Sequence, residues 1–210
     1  DLSLIIEEIP LPMRAVDATI TFKDKIITFD VKEAYTIAYH TPITGHGFVT
    51  PLGHGQGVAY EIFFNVYDVP LKDPTYHVFA DEKDPDSWLK DVQEIWDSLS
   101  PTPEGKMDVI GKVYRQPNTP KKPKFDITLT VKDASVEYDE FPYRVEHACG
   151  TVHLTHEKVD FQNLSCKDAK NTEISLTGNL FLKSGSKPGV QIQINAKNAS
   201  TWGIFNESNG

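Results

Sequence analysis

The chain has 210 residues, an apolar fraction of 39% and a formal net charge of −9. That composition is lean but sufficient for a packed core and too apolar for a disordered segment. The acidic balance repels phosphate backbones, so nucleic acid is excluded as a natural partner. No apolar run reaches the length of a membrane-spanning helix, and the chain opens directly on a strand-like stretch, Leu2 to Ile6. That abrupt start predicts a piece of a longer protein whose anchor lies elsewhere.

In chain order, apolar and polar residues alternate with period two, the signature of strands with one dry and one wet face. Ala18, Ile20 and Phe22 form the first such set, and Ile27, Phe29 and Val31 the next. Val58, Tyr60, Ile62, Phe64 and Val66 form a longer one. Between these sets lies a glycine-rich stretch, Thr41 to Gly57, containing Gly45-His46-Gly47 and Gly53-His54-Gly55-Gln56-Gly57. A phosphate cradle needs a strand before it and a helix after it. Strands follow here, so the stretch reads as a flexible loop.

One segment departs from the rule. Trp88, Leu89, Val92, Ile95, Trp96 and Leu99 recur at helical spacing. Asp84 suits the N-cap, Pro85 the first helical position and Asp86 the first turn, and Pro101 stops the helix. The two tryptophans read as core anchors. Residues 115–124 hold three prolines and three lysines and form a connector. Alternation then resumes at Phe125, Ile127, Leu129 and Val131, and its parity shifts to Ala134, Val136 and Tyr138. That shift predicts a bulge near Lys132–Asp133. Ile174, Leu176, Gly178, Leu180 and Leu182, then Val190, Ile192, Ile194 and Ala196, close the series.

The chain repeats itself at an offset of about 132 residues. Ser3 to Pro10 aligns with Ser135 to Pro142, Thr19 with Thr151, and Phe29 with Phe161. After one insertion Gly47 meets Gly178, a position expected to mark a twist or bulge. The unit reads as strand, acidic-apolar-proline corner, then further strands, with the proline between strands where a missing N–H does no harm. The expected organisation is a first β repeat at 1–80, a helical connector at 81–104, a second β repeat at 105–199 and a tail at 200–210.

Roughly a dozen half-dry strands cannot be covered by one helix. The fold class expected is therefore mostly β: antiparallel, curved sheet built from two repeats, forming a groove or open sandwich, with one amphipathic helix. The apolar face must meet a second sheet, curl over a ligand, or be covered by another part of the parent.

The run Val136-Glu-Tyr-Asp-Glu-Phe141-Pro142-Tyr143-Arg-Val-Glu-His-Ala-Cys-Gly150-Thr-Val-His-Leu resembles the recurring signature of AsmA-like envelope proteins. Val159-Asp-Phe-Gln-Asn-Leu and Ile174-Ser-Leu-Thr-Gly178-Asn-Leu continue it. Phe141, Pro142, Tyr143, Gly150 and Gly178 are the structural motif. The first copy differs, with Ile9-Pro10-Leu11 and Asp17-Ala18 at the matching places. The resemblance implies a membrane-anchored protein of the periplasm or cell envelope, a β-groove, lipid acyl chains and the parent's remaining repeats as partners, and a role in lipid transport or envelope homeostasis. The groove would be lined by Val58, Ile62, Phe64, Ile174, Leu176, Leu180, Ile192 and Ile194. The competing reading is a closed β-sandwich acting as a spacer or as a protein- or glycan-binding module.

Chemistry is scarce. His40, His46, His54, His153 and His156 lack convergent zinc-ligand spacing with the cysteines. No nucleophile–base motif or nucleotide fingerprint is present, so no catalytic, metal or cofactor site is expected. Glu7, Glu8, Asp139 and Glu140 recur with the repeat and read as turn-forming acids. Hairpin pairing sets Cys149 opposite about Asn163, leaving a disulfide with Cys166 open. Asn163-Leu-Ser, Asn198-Ala-Ser and Asn206-Glu-Ser match a glycosylation triplet common by chance.

Overall fold

A computed structural model describes residues 2–6, 9–36, 40–53, 57–71, 105–117, 123–138, 141–168, 171–181 and 189–197. Eleven strands form one antiparallel sheet in strictly sequential order: β1 (Leu2–Ile6), β2 (Ile9–Lys23), β3 (Ile26–Thr36), β4 (Pro42–Pro51), β5 (Val58–Pro70), β6 (Lys106–Arg115), β7 (Lys124–Tyr138), β8 (Phe141–Thr155), β9 (Lys158–Asp168), β10 (Glu173–Phe181) and β11 (Gly189–Lys197). The sheet is open and curved. β1 and β11 are its outer strands and do not pair with each other. The expected helix at 84–101 and the tail at 200–210 lie outside the described residues, as does the glycine-rich His54.

Local chemistry explains the hairpins. Asp24 and Lys25 both adopt positive φ, 51° and 65°, between the paired residues Lys23 and Ile26. Two left-handed residues give the turn whose twist matches that of the flanking strands. At the equivalent turn of the second copy the Thr155 hydroxyl accepts hydrogen bonds from the amides of Glu157, at 3.3 Å, and Lys158, at 3.2 Å. Leu71 donates its N–H to the Gly105 carbonyl at 2.9 Å, pinning together the two chain ends that bound residues 72–104. That pin lets β5 pair directly with β6.

The repeat is written into the backbone. β2 and β3 match β8 and β9 residue for residue at the sequence offset. Ile6 pairs with Ile9 and Leu4 with Met13 on either side of a register shift. In the second copy Tyr138 pairs with Phe141 and Val136 with Val145, again across a shift. Pro10 and Pro142 fall inside these irregular stretches, one residue into β2 and β8. They were expected between strands. They are tolerated within them because the ladder is already interrupted there.

The bulge expected near Lys132–Asp133 is present: register shifts between Val131 and Ala134, and Asp133 takes φ 49°. Asp68, His147 and Asn163 share this left-handed conformation, at φ 54°, 52° and 51°. Each adds local bend and twist to the sheet. Gly178 also borders a register shift, with Leu176 on its other side.

The glycine-rich stretch departs from expectation. Pro42–Pro51 is a strand, not a loop, and Gly45 and Gly47 lie in its ladder opposite Phe64 and Ile62. A β-carbon at Gly45 would stand 2.7 Å from the Phe63 carbonyl oxygen. The absent side chains let the β5 backbone lie close against β4 at these two positions.

Candidate functional site

Directly paired residues of neighbouring strands share a face. Following the register, one row runs Ala18, Val31, Gly45, Phe64, Gly111, Ile127, Leu154, Val159, Leu180, Val190, from β2 to β11. A second runs Ile43, Val66, Val109, Leu129, Val152, Phe161, Gly178, Ile192. No charged residue interrupts either row. The concave face is thus continuous apolar surface across both repeats, and all eight expected lining residues stand on it.

Burial along this face is uneven. Tyr60, Ile62, Phe64, Val66, Met107, Val113 and Phe125 form its packed centre together with Phe29, Val31, Ala34 and Ile43. Toward the outer strands it opens: Ile20 is 46% and Phe22 72% exposed on β2, and Ile192 is 43% and Ile194 63% exposed on β11. Val58, Ile174, Leu176 and Leu180 are half-buried. Side chains of Phe141, Pro142 and Tyr143 lie outside the described set, while Gly150 faces Val131 across the β7–β8 ladder.

The convex face is cross-linked by charge, though Phe48 and Ile110 also stand exposed on it. Lys132 Nζ donates to Asp108 Oδ1 at 2.6 Å and to Asp68 Oδ1 at 3.2 Å, and the Asp68 amide donates to the same Asp108 oxygen at 3.0 Å. Burial alone would raise the Asp108 carboxyl. The Lys132 and Asp68 hydrogen bonds and the Lys132 charge outweigh it, and its pKa falls below the ordinary 3.8. Further along, His153 Nε2 meets Asp126 Oδ1 at 2.7 Å, and Lys158 Nζ meets Asp160 Oδ2 at 2.7 Å. His46 stacks on Phe63 at 4.9 Å between ring centroids, with Lys112 Nζ 5.8 Å from the same ring. Three histidines singled out in the sequence therefore have different neighbourhoods: His153 an acid, His46 a ring, and His40 an exposed loop. Among the described residues no three metal-binding side chains converge.

The cysteines do not meet. Cys149 pairs with Ser165, two positions from the Asn163 expected. Cys166 pairs with Ile174 on the concave side, whereas Cys149 is flanked in β8 by Ala148 and Gly150, whose positions are concave, and itself points outward. Both thiols are free. Burial first, and the Asp168 charge second, push the Cys166 thiol above its ordinary value of 9.0.

Sequence reasoning missed one feature. A cleft of about 300 Å³ lies at the rim, where β4 ends, β5 begins and β6 ends. Phe48, Leu52, Ala59, Tyr114 and Pro117 wall it, and Glu61 and Arg115 bring charge. Its residues come from three strands and become neighbours only through the register pairs Tyr60–Arg115 and Glu61–Tyr114. Nothing in the linear pattern signals them.

No protein-family model, curated protein or solved structure matches the chain.

Proposed function

We propose that this chain is a non-catalytic segment of an AsmA-like envelope protein, and that its concave apolar face accommodates lipid acyl chains. The observation that carries this reading is the unbroken apolar row from Ala18 on β2 to Val190 on β11, left open at its outer strands by exposed Phe22 and Ile194. Apolar surface in water costs roughly 25 cal/mol per Å². An extended strip of it, one side chain deep and flanked by polar strand faces, suits a flexible hydrocarbon better than a rigid polar ligand. The Phe141-Pro142-Tyr143 signature points to the same family. Membrane anchoring, an envelope location and contact with further repeats of a parent protein belong to this reading. The competing closed sandwich needs a second sheet facing the first, and the described strands form only one.

The test is direct. Organic extraction of the purified protein followed by mass spectrometry should recover lipid, and an apolar fluorescent dye should bind with a blue-shifted emission. Ile194→Glu should weaken both while leaving the circular dichroism spectrum intact. A protein free of lipid that also excludes the dye sinks the groove.

A further inference from the structure

The sheet ends on two unlike strands. β1 is five residues long, and its pairing with β2 is broken by a register shift between Leu4 and Ile6. β11 runs for nine residues and pairs with β10 in nine consecutive steps without a bulge. Its outer edge has no partner among the described residues. Natural sheets blunt an outer strand with proline, with charge, with a bulge or by keeping it short. β11 has none of these devices: its single charge, Lys197, is its last residue. Gln191 through Lys197 are all exposed, with Ile192 at 43% and Ile194 at 63%. The N–H and C=O groups along such an edge are a template for one more strand.

The residues of β11 say which strand fits. Ile192, Ile194 and Ala196 pair with Gly178, Leu176 and Ile174 and extend the concave face. Gln191, Gln193 and Asn195 pair with Asn179, Thr177 and Ser175 on the convex face. About Gln193 the strand reads almost the same in both directions. A two-fold axis normal to the sheet at that residue sets Gln193 against its own copy, Ile192 against Ile194, Gln191 against Asn195 and Gly189 against Lys197. Apolar positions then meet apolar ones, amides meet amides, no like charges face each other, and all nine residues find a partner. The alternation stays in phase across the junction, and side-chain amides on adjoining strands hydrogen-bond to one another. The net charge of −9 on each copy opposes association, but β11 itself carries no carboxylate. A second copy also arrives with its β11 already ordered on β10, so it loses less conformational freedom on pairing than a loose peptide would.

We infer that two copies of this chain associate through β11, antiparallel and symmetric about Gln193. Such an interface uses the same surface on both partners and consumes this edge, so it stops at two copies. Ile192 and Ile194, the uncovered end of the apolar face, pack on their counterparts, and the two concave faces join into one trough. A single strand pair is small for a protein interface, below about 1,200 Å², so the dimer is reversible and its dissociation constant lies in the micromolar range. The pairing does not depend on what the concave face holds, and its failure would leave the acyl-chain reading untouched.

Sedimentation velocity of the full chain across the micromolar range should show a monomer passing into a dimer, and added salt should favour the dimer by screening the two acidic copies. Amide exchange at β11 should slow as the concentration rises, while that of β5 and β6 stays unchanged. Gln193→Lys sets two lysines directly opposite each other and should weaken the dimer about fivefold, although it reduces the net negative charge. Cross-linking reads the register. In a Cys149→Ser background, Gln193→Cys should give a disulfide-linked dimer under a copper oxidant, because directly opposed positions are within disulfide reach. Gln191→Cys should not, because its two copies stand four residues apart along the junction, about 13 Å. Thermal unfolding of each variant confirms that it is folded. A chain that stays monomeric at every concentration, or a folded Gln193→Lys that dimerises as well as the unaltered chain, overturns the inference. So do cross-links that form equally at both positions, and so does a series of ever larger species, the mark of β11 meeting β1 head to tail.

Discussion

Phe29 on β3 lies directly opposite Gly47 on β4, and one repeat later Phe161 on β9 lies directly opposite Gly178 on β10. A large ring and an absent side chain share each pair, so the ring spreads over the bare backbone of its neighbour. A β-carbon at Gly47 would stand 2.9 Å from Phe29 Cζ and would also meet the Glu61 carbonyl oxygen. Conservation of this pair between copies whose side chains otherwise differ marks it as a requirement of the curved sheet.

Gly47→Val should therefore destabilise the protein by about 1–3 kcal/mol through overpacking. Chemical denaturation monitored by circular dichroism measures it. Gly53→Ala is the control, since nothing lies within 4 Å of a β-carbon there. Equal midpoints for the two variants would contradict the packing account.

Phe64 is 7% exposed and sits between Gly45 and Gly111 on the two adjacent strands. No neighbour in its row has a side chain able to refill the space. Phe64→Ala should cost about 3–5 kcal/mol, at the severe end for a core truncation. Denaturation midpoints against those of Phe48→Ala, an exposed aromatic on the convex face, give the comparison.

Stability should fall in acid partly through Asp108. Its folded pKa is lowered, so its contribution is fully present above the unfolded value near 3.8 and is lost as pH drops through the folded value. The melting temperature of the unaltered protein should approach that of Asp108→Asn as pH falls below about 4, and should exceed it at neutral pH. Parallel curves at all pH values would remove the Lys132–Asp108 contact from the account.

Alkylation should distinguish the cysteines. Cys149 is exposed, whereas Cys166 is half-buried and its thiol is pushed upward. The thiolate is the reactive form. Brief iodoacetamide treatment near neutral pH should label Cys149 first, read by peptide mass spectrometry, and the intact mass should be unchanged by reductant. A two-dalton gain on reduction would show a disulfide that the opposite-facing positions forbid.

Much of the architecture was legible because alternation reports directly on faces. Ala18-Ile20-Phe22 and Ile174-Leu176-Leu180 both lie on the concave side, and the parity slip after Val131 located a real bulge. Gly45 and Gly47 were not legible as strand residues. Glycine carries no hydrophobic signal, and its role here depends on which ring lies opposite, information held only by the register. The sequence pattern puts Pro10 and Pro142 at corners, yet both sit one residue inside strands, where the pairing is already irregular. The cleft at Arg115 and Glu61 was hidden for the same reason as the glycines: its members meet only after β4, β5 and β6 have aligned. The helix signalled by Trp88 and Trp96 falls outside the described residues.

The strictly sequential strand order has a kinetic corollary. Each strand bonds only to the segments made just before and just after it, so every pairing closes a short loop, apart from the bridge between β5 and β6. Such a chain can zip up hairpin by hairpin during synthesis and should fold faster than a sandwich of equal size, whose partners lie far apart in sequence. It should also melt by peeling. Amide protons of β11 should exchange with solvent well before those of β5 and β6, where the packed centre holds the ladder from both sides.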